Sequence, residues 1–171
     1  PFIVRWPGKV EAGSVSNQLL SNVDMVATFA ALFDRKLKKG EAVDSYNMLP
    51  TFIGNPDENI RPSLLIAPDN IENLAVRKGK WMYISGQGGG GFKAEYRGIH
   101  DFGGPAATVF THQKNSDIAH GRIKENAPPA QLYNLEKDLS ETHNLYEDYP
   151  EKVEEMQLEL ERLQQVRQTR P

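Results

Sequence analysis

Residues 73–85 read NLAVRKGKWMYIS, and this stretch decides the fold. β-Branched and aromatic residues flank the Lys78-Gly79 pair, and this composition is typical of two strands joined by a tight turn. We therefore predict a hairpin with arms at 73–77 and 80–85. An isolated hairpin is at best marginally stable in water, so further strands and a covering helix must come from other parts of the chain.

Two short apolar runs and one amphipathic segment supply that cover. Residues 63–67 and 131–135 are predicted to be short strands. A helix is predicted over 150–166, because Pro150 suits a first helical turn and apolar residues recur at spacings of three and four, at Val153, Met156, Leu160 and Leu163. The expected fold class is α+β: a small antiparallel sheet of about four strands with a packed carboxyl-terminal helix.

The first third of the chain has a different pattern. Residues 1–6 read PFIVRW, a nearly continuous apolar run that favours a strand buried on both faces of a larger sheet. A helix is predicted over 21–33, followed by a short helix over 48–54. We expect this strand and helix to belong to a larger domain than the one formed by the hairpin.

Composition excludes several classes of function. The chain has 171 residues, a net charge of −3 and no cysteine, so disulfide frameworks, thiolate zinc sites and cysteine nucleophiles are ruled out within it. The acidic balance gives no reason to expect a nucleic-acid partner. No run approaches the roughly 18 apolar residues of a membrane span.

The segment 86–129 loses periodicity, which in a compact domain favours a functional or disordered loop. The glycine run at 88–91 follows a strand, but no Gly-Lys-Ser/Thr follows it, so a phosphate-binding loop is rejected. The spacing of the four histidines, at 100, 112, 120 and 143, matches no metal motif. Asp138 and Glu141 precede Thr142, and we expect them to cap backbone amides rather than to act as general acids.

Several stretches resemble the carboxyl-terminal part of the formylglycine-dependent sulfatases, in particular bacterial arylsulfatase-like members. AVRKGKW at 75–81 is similar to a hairpin of that family, and QLYNL at 131–135, with Asp138, Glu141-Thr142 and Asn144-Leu145, is similar to one of its turns. The order of the other matching pieces is also similar, at 1–10, 12–16, 23–28, 44–45, 48–50, 54, 92 and 170–171.

The resemblance implies an enzyme that hydrolyses sulfate esters, either aryl sulfates or sulfated carbohydrates. In that family, a Cys or Ser inside a C/S-x-P-S-R motif becomes formylglycine, and calcium is held by acidic and amide side chains. The chain contains no such motif. We therefore assign no catalytic and no metal-binding residue, expect calcium and formylglycine only in a full-length member, and expect this fragment to be inactive alone.

The resemblance also implies a domain division and a place for the substrate. Residues 1–58 are expected to complete the large sulfatase domain, and residues 59–171 to form a carboxyl-terminal subdomain bordering the substrate cleft. The loop 86–129 would contact the sulfated ligand, with candidate contacts at Lys93, Arg97, His100 and His112. At 68–70 the chain has Pro-Asp-Asn where relatives often have His-His-Ser, so no contact is assigned there.

Partners and location follow as expectations of the same kind. We expect an amino-terminal catalytic domain, on this chain or on a separate one, together with a sulfated small molecule or glycan. Apolar surfaces left uncovered would favour a homo-oligomer, and periplasmic or secreted location is the tendency of the family. The alternative is a stand-alone carbohydrate-binding or assembly module derived from a sulfatase.

Overall fold

The computed structural model describes residues 2–54, 56–68, 73–88 and 108–170. The helices are α1 (Met25–Leu32), α2 (Leu49–Ile53), α3 (Thr108–Thr111) and α4 (Pro150–Gln165), and a short 3-10 helix, Asn22–Asp24, precedes α1. The strands are β1 (Leu64–Ile66), β2 (Ala75–Lys78), β3 (Trp81–Ile84), β4 (Ile118–Ala119), β5 (Arg122–Ile123) and β6 (Gln131–Asn134). Among these described elements, no helix has the length and apolar character needed to cross a bilayer.

The chain divides into two units. The first unit combines Pro1–Leu64 with Gln165–Pro171, and the second is Leu65–Gln164. The first therefore takes in both ends of the chain, and the second is inserted between them. The domain boundary predicted between residues 58 and 59 concerns a larger protein and stays a prediction.

A buried ion pair organises the first unit. The Asp24 carboxylate is fully buried and accepts hydrogen bonds from the Arg61 guanidinium, with its Oδ2 3.0 Å from Arg61 Nε. Asp24 also accepts the backbone N–H groups of Ser21 at 2.8 Å and Tyr46 at 2.9 Å. The Arg61 guanidinium stacks on the Tyr46 ring, 4.4 Å from its centroid. One carboxylate thus fixes the start of α1 to two distant segments of its own unit.

The last residues of the chain are part of the same unit. The backbone N–H groups of Thr169 and Arg170 donate to the Val43 carbonyl at 3.1 and 3.0 Å. Thr169 Oγ1 lies 3.0 Å from Asp44 Oδ1, and Arg170 Nη2 lies 3.1 Å from the Glu41 carbonyl. The carboxyl-terminal tail is therefore bound to the 41–44 segment by main-chain and side-chain hydrogen bonds.

The strand predicted for 1–6 is wrong for the described residues 2–6, which have no strand pairing. Phe2 instead stacks on Phe52, with ring centroids 5.7 Å apart, and Ile3 is 87% exposed. A strand needs a neighbour to accept its backbone hydrogen bonds, and no described segment is paired with this one. The predicted helices over 21–33 and 48–54 are confirmed as the 3-10 helix with α1 and as α2.

The second unit is a four-stranded sheet in the order β1-β2-β3-β6. The antiparallel hairpin β2–β3 pairs Ala75 with Ile84 and Lys78 with Trp81, so the turn lies at 79–80, one residue after the predicted Lys78-Gly79 turn. β6 adds antiparallel to β3. The predicted hairpin, the two short strands and the α+β class are confirmed.

The helix α4 covers this sheet through the predicted stripe. The four residues of the stripe are all buried, and they pack with sheet residues that are also buried: Val76, Tyr83 and Leu132. Gln157 Nε2 donates to the Tyr83 hydroxyl at 3.0 Å, and Lys78 Nζ lies 3.0 Å from Glu155. The core of the second unit therefore lies between α4 and the sheet, as the 3-4-3 spacing predicts.

The segment 86–129 holds more structure than predicted in its second half. Besides α3 it contains the hairpin β4–β5, whose two central residues, His120 and Gly121, have φ of +52° and +73°. Positive φ at both central positions is what a two-residue type I′ turn requires, and glycine adopts it without strain. The sequence pattern does not predict this hairpin, because strands of two residues are too short to show an alternation of apolar and polar residues.

Candidate functional site

Two glutamines join the ends of the segment 86–129. Gln131 Nε2, on β6, donates to the carbonyls of Gly86 and Gly88, each at 2.7 Å. Gln87 Nε2 donates in the other direction, to the carbonyls of Ala127 at 2.9 Å and Pro128 at 3.0 Å. The segment therefore leaves and re-enters the fold at one place, the edge of the sheet where β3 ends and β6 begins.

The buried side chain of Tyr133 contacts one of these two glutamines. The Tyr133 hydroxyl donates to Gln131 Oε1 at 2.6 Å and accepts a hydrogen bond from Asn115 Nδ2 at 2.9 Å. Burial raises the pKa of Tyr133 well above its usual range, although the bond from Asn115 opposes that shift. The phenol thus stays protonated and acts as a fixed hydrogen-bonding link between β6 and the 115–117 turn.

Asn144 is the second centre of this network. Its Oδ1 accepts the backbone N–H groups of Leu132 at 2.9 Å and Tyr146 at 3.0 Å. Its Nδ2 donates to Asp117 Oδ2 at 2.6 Å and to the Ala130 carbonyl at 3.0 Å. Because Asn144 and Asp117 are both buried, their amide and carboxylate satisfy each other where water has little access.

The carboxylate pair predicted to cap backbone amides lies beside this network. Asp138 Oδ2 accepts the backbone N–H groups of Thr142 at 2.7 Å and His143 at 2.9 Å, and Asp138 Oδ1 accepts the Thr142 hydroxyl at 3.1 Å. Desolvation alone would raise the pKa of Asp138, but these hydrogen bonds outweigh it and lower that pKa. For Glu141 desolvation dominates and, with the nearby Asp138 charge, raises the pKa. The capping role predicted for the pair is confirmed for Asp138, whereas Glu141 takes part through its backbone carbonyl, which accepts Asn115 Nδ2 at 3.0 Å.

We expect the stability contributed by Asp138 to disappear in acid. A carboxyl whose pKa is lower in the folded state stabilises it above its unfolded pKa, about 3.9, and loses that effect as pH falls through the folded value. The difference in free energy of unfolding between the wild type and Asp138→Asn should therefore shrink between pH 6 and pH 3, as measured by urea unfolding. Glu147→Gln, which removes one exposed carboxylate, is the control for net charge. A difference that stays constant with pH would contradict this assignment.

Of the four predicted ligand contacts, the structure places one. His112 is exposed at the end of α3 with a φ of +58°. The other three, Lys93, Arg97 and His100, lie outside the described residues, so the proposed grouping of the four is untested. Nearby, a depression of about 350 Å³ is lined by Gln113, Lys114, Asn115 and His120, among others. No sequence motif indicated these four residues; His120 lies in the β4–β5 turn, apart in sequence from the consecutive residues 113–115.

The calcium implied by the resemblance finds no fit in the described ranges. Within 2–54, 56–68, 73–88 and 108–170, no three His, Asp or Glu side chains are grouped so that they could hold a metal ion. Asp24, the most buried carboxylate of the first unit, is already neutralised by Arg61. No step through calcium is therefore assigned to these residues.

Relatives identify the family. Over 157 residues, 91% of the chain, it is 32% identical to an N-acetylgalactosamine-6-O-sulfatase from Bacteroides thetaiotaomicron. Over 149 residues it is 30% identical to human arylsulfatase A. The chain belongs to the sulfatase family. No protein-family model matches it.

The structural comparison agrees with the sequence comparison. A solved structure from work on glycosaminoglycan metabolism by Bacteroides thetaiotaomicron superposes on 97% of the chain, with 28% identity and a TM-score of 0.64. The chain spans 25% of the length of each of the two sulfatases named above and 29% of this solved chain. It thus corresponds to a carboxyl-terminal sulfatase segment, and the predicted resemblance is confirmed.

Proposed function

We propose that this chain is part of an enzyme that hydrolyses sulfate esters of carbohydrates. The observation that carries the proposal is the 32% identity to an N-acetylgalactosamine-6-O-sulfatase across 91% of the chain. An ulvan-active sulfatase from Formosa agariphila, 27% identical over 152 residues, supports a carbohydrate substrate. Aryl sulfates are the second substrate class, favoured by the likeness to human arylsulfatase A.

In this proposal the chain borders the substrate cleft and does not carry out the bond cleavage. Sulfate is a diffuse anion, and lysine, arginine and protonated histidine bind it through charge-assisted hydrogen bonds. The segment 86–129 carries such residues, at Lys93, Arg97, His100 and His112. The paired glutamines at its base support the role, because a binding segment needs a rigid anchor on the scaffold.

The nucleophile and the metal belong to the rest of the enzyme in this proposal. Formylglycine would be formed in a C/S-x-P-S-R motif, which this sequence lacks, and calcium would neutralise charge on the sulfate oxygens. A periplasmic or secreted location is part of the same proposal. The chain's own residues then position the carbohydrate, while the sulfur–oxygen bond is broken elsewhere.

We expect no turnover from the 171-residue chain alone. Incubated with 4-methylumbelliferyl sulfate and calcium, it should release fluorophore at the rate of a buffer blank, because a sulfate ester needs both a nucleophile and charge stabilisation. The longer protein that includes this chain should hydrolyse the same ester and N-acetylgalactosamine 6-sulfate. Turnover by the isolated chain would contradict the division of labour. Failure of the longer protein on every sulfate ester, combined with glycan binding by this chain alone, would favour the binding-module alternative.

A further inference from the structure

The first unit contains a depression that the proposed function does not use. Its volume is about 380 Å³, which is in the range of small-molecule sites, and all of its lining residues belong to this one unit. The lining combines three alanines of α1 with three polar residues, among others: Ala27, Ala30, Ala31, Arg35, Asn47 and Arg170. We call it the arginine depression.

Arg170 is a half-buried cation without an acidic partner. Its Nη2 donates only to main-chain carbonyls, those of Glu41 at 3.1 Å and Lys38 at 3.3 Å. Its Nε is buried and has no hydrogen-bond partner in the described part of the chain. No carboxylate of the described residues forms an ion pair with this guanidinium. A cation withdrawn from water without a counter-ion costs free energy, and an anion bound at the same guanidinium lowers that cost.

Arg35 is the second cation of the depression, and its existing ion pair is weak. Its Nη2 lies 3.3 and 3.4 Å from the two carboxylate oxygens of Glu41, whereas charge-assisted hydrogen bonds are usually about 2.7 to 2.9 Å long. The Arg35 side chain is also 66% exposed. Three further exposed cations, Lys36, Lys38 and Lys39, follow it in the sequence. The charge around the depression therefore favours an anionic ligand.

The remaining lining defines the rest of that ligand. Asn47 is exposed, and its Oδ1 accepts the Leu49 N–H at 3.0 Å, which leaves its amide NH₂ as a donor. The alanines of α1 are short, so a flat ring can approach the helix closely. Guanidinium groups bind the oxygens of carboxylates, sulfates and sulfonates through paired N–H donors. An anionic group attached to a small ring satisfies both parts of the depression.

We propose that the arginine depression binds a small aryl anion. Its sulfonate, sulfate or carboxylate group interacts with Arg35 and Arg170, and its ring packs against the alanines of α1. The ligand then links the carboxyl-terminal tail to α1, so its binding stabilises the first unit. This inference does not rest on the function proposed above.

Amide NMR of the ¹⁵N-labelled 171-residue chain tests the proposal. The probe is benzenesulfonate, which has no ester bond and so cannot be a sulfatase substrate. We expect saturable shifts of the amides at 27–31, 35, 47 and 169–170, with a dissociation constant on the order of 1 mM for a ligand of this size. Benzoate should shift the same amides. Inorganic sulfate, which lacks the ring, should bind there about tenfold more weakly.

Two variants separate the charge of the depression from its shape. Arg170→Gln should weaken benzenesulfonate binding about tenfold, because it removes a charge-assisted hydrogen bond. Ala31→Leu keeps a good helix former but fills the space for the ring, so it should weaken benzenesulfonate and leave inorganic sulfate unchanged. Arg167→Gln is the matched control, since it removes an exposed arginine from the same tail and should change neither affinity.

Several outcomes would overturn the proposal. Shifts that do not saturate, or that map to the second unit, show that the depression is not a site. Equal weakening by Arg167→Gln and Arg170→Gln shows that only net charge matters, and sulfate that binds as tightly as benzenesulfonate excludes a role for the ring. If the amide spectrum shows that Arg170→Gln does not fold, Ala31→Leu decides alone, and unchanged benzenesulfonate binding by that variant refutes the proposal. Crystals of the longer sulfatase soaked in 4-bromobenzenesulfonate give an independent measurement, since the bromine should lie beside Ala31, and bromine found only elsewhere overturns the assignment.

Discussion

Asp24→Ala is expected to lower the free energy of unfolding of the first unit by about 4 kcal/mol, because removing one partner leaves the buried Arg61 charge uncompensated. The substitution also leaves the N–H groups of Ser21 and Tyr46 without their acceptor. Urea unfolding followed by Trp6 fluorescence in a Trp81→Phe background measures the effect, since Trp6 lies in the first unit and Trp81 in the second.

An exposed ion pair of the same unit provides the control for this prediction. Glu41 contacts Arg35 at 3.3 Å, and because the Arg35 side chain is 66% exposed, Arg35→Ala should cost no more than about 1 kcal/mol. The double variant Asp24→Ala/Arg61→Ala should be less destabilised than the sum of the two single variants, because it leaves no lone charge. Additive effects of the two single substitutions would contradict a coupled buried pair.

Asn144→Ala is expected to cost the second unit about 3 kcal/mol, because it leaves buried donors and acceptors unsatisfied on two segments at once. The groups that lose their Asn144 partner would be the Leu132 N–H, the Ala130 carbonyl and Asp117 Oδ2. Unfolding followed by Trp81 fluorescence in a Trp6→Phe background reports on this unit. Gln164→Ala, an exposed position on α4, should change stability by no more than about 0.5 kcal/mol.

The variant Asn144→Asp separates a hydrogen-bonding role from simple space filling. It keeps the shape of the side chain but places a second carboxylate where Asn144 Nδ2 lies 2.6 Å from Asp117. Repulsion between the two charges should destabilise the second unit at neutral pH, and acidification should relieve it as one carboxylate takes up a proton. Stability of Asn144→Asp that does not improve, relative to the wild type, between pH 7 and pH 5 would contradict the proposed network.

The parts of the fold that were predictable are those where local pattern and burial agree. The hairpin around Gly79 and the α4 stripe have strong periodicity and lie together in one core, so sequence alone locates them to within a residue or two. The run PFIVRW has equally strong strand character, yet residues 2–6 form no strand. Strand formation depends on a neighbouring strand, and local composition carries no information about whether one is present.

The site was less predictable than the fold for a related reason. Gln87 and Gln131 are 44 positions apart in the sequence. No local sequence pattern around either residue predicts that both bind the ends of the same segment. Asn144 and Asp117 are likewise paired only through folding. By contrast, the Asp138 cap was foreseeable, because a carboxylate four residues before Thr142 acts through short-range backbone geometry.

The binding of Thr169 and Arg170 to the 41–44 segment has a consequence for biosynthesis. A ribosome makes residues 41–44 more than a hundred codons before it makes the tail that binds them. The second unit, with its hairpin and α4, is made before residues 169 and 170, so the first unit acquires these hydrogen bonds only after those two residues emerge. Until then the 41–44 segment lacks these hydrogen bonds, and termination near residue 165 would remove them.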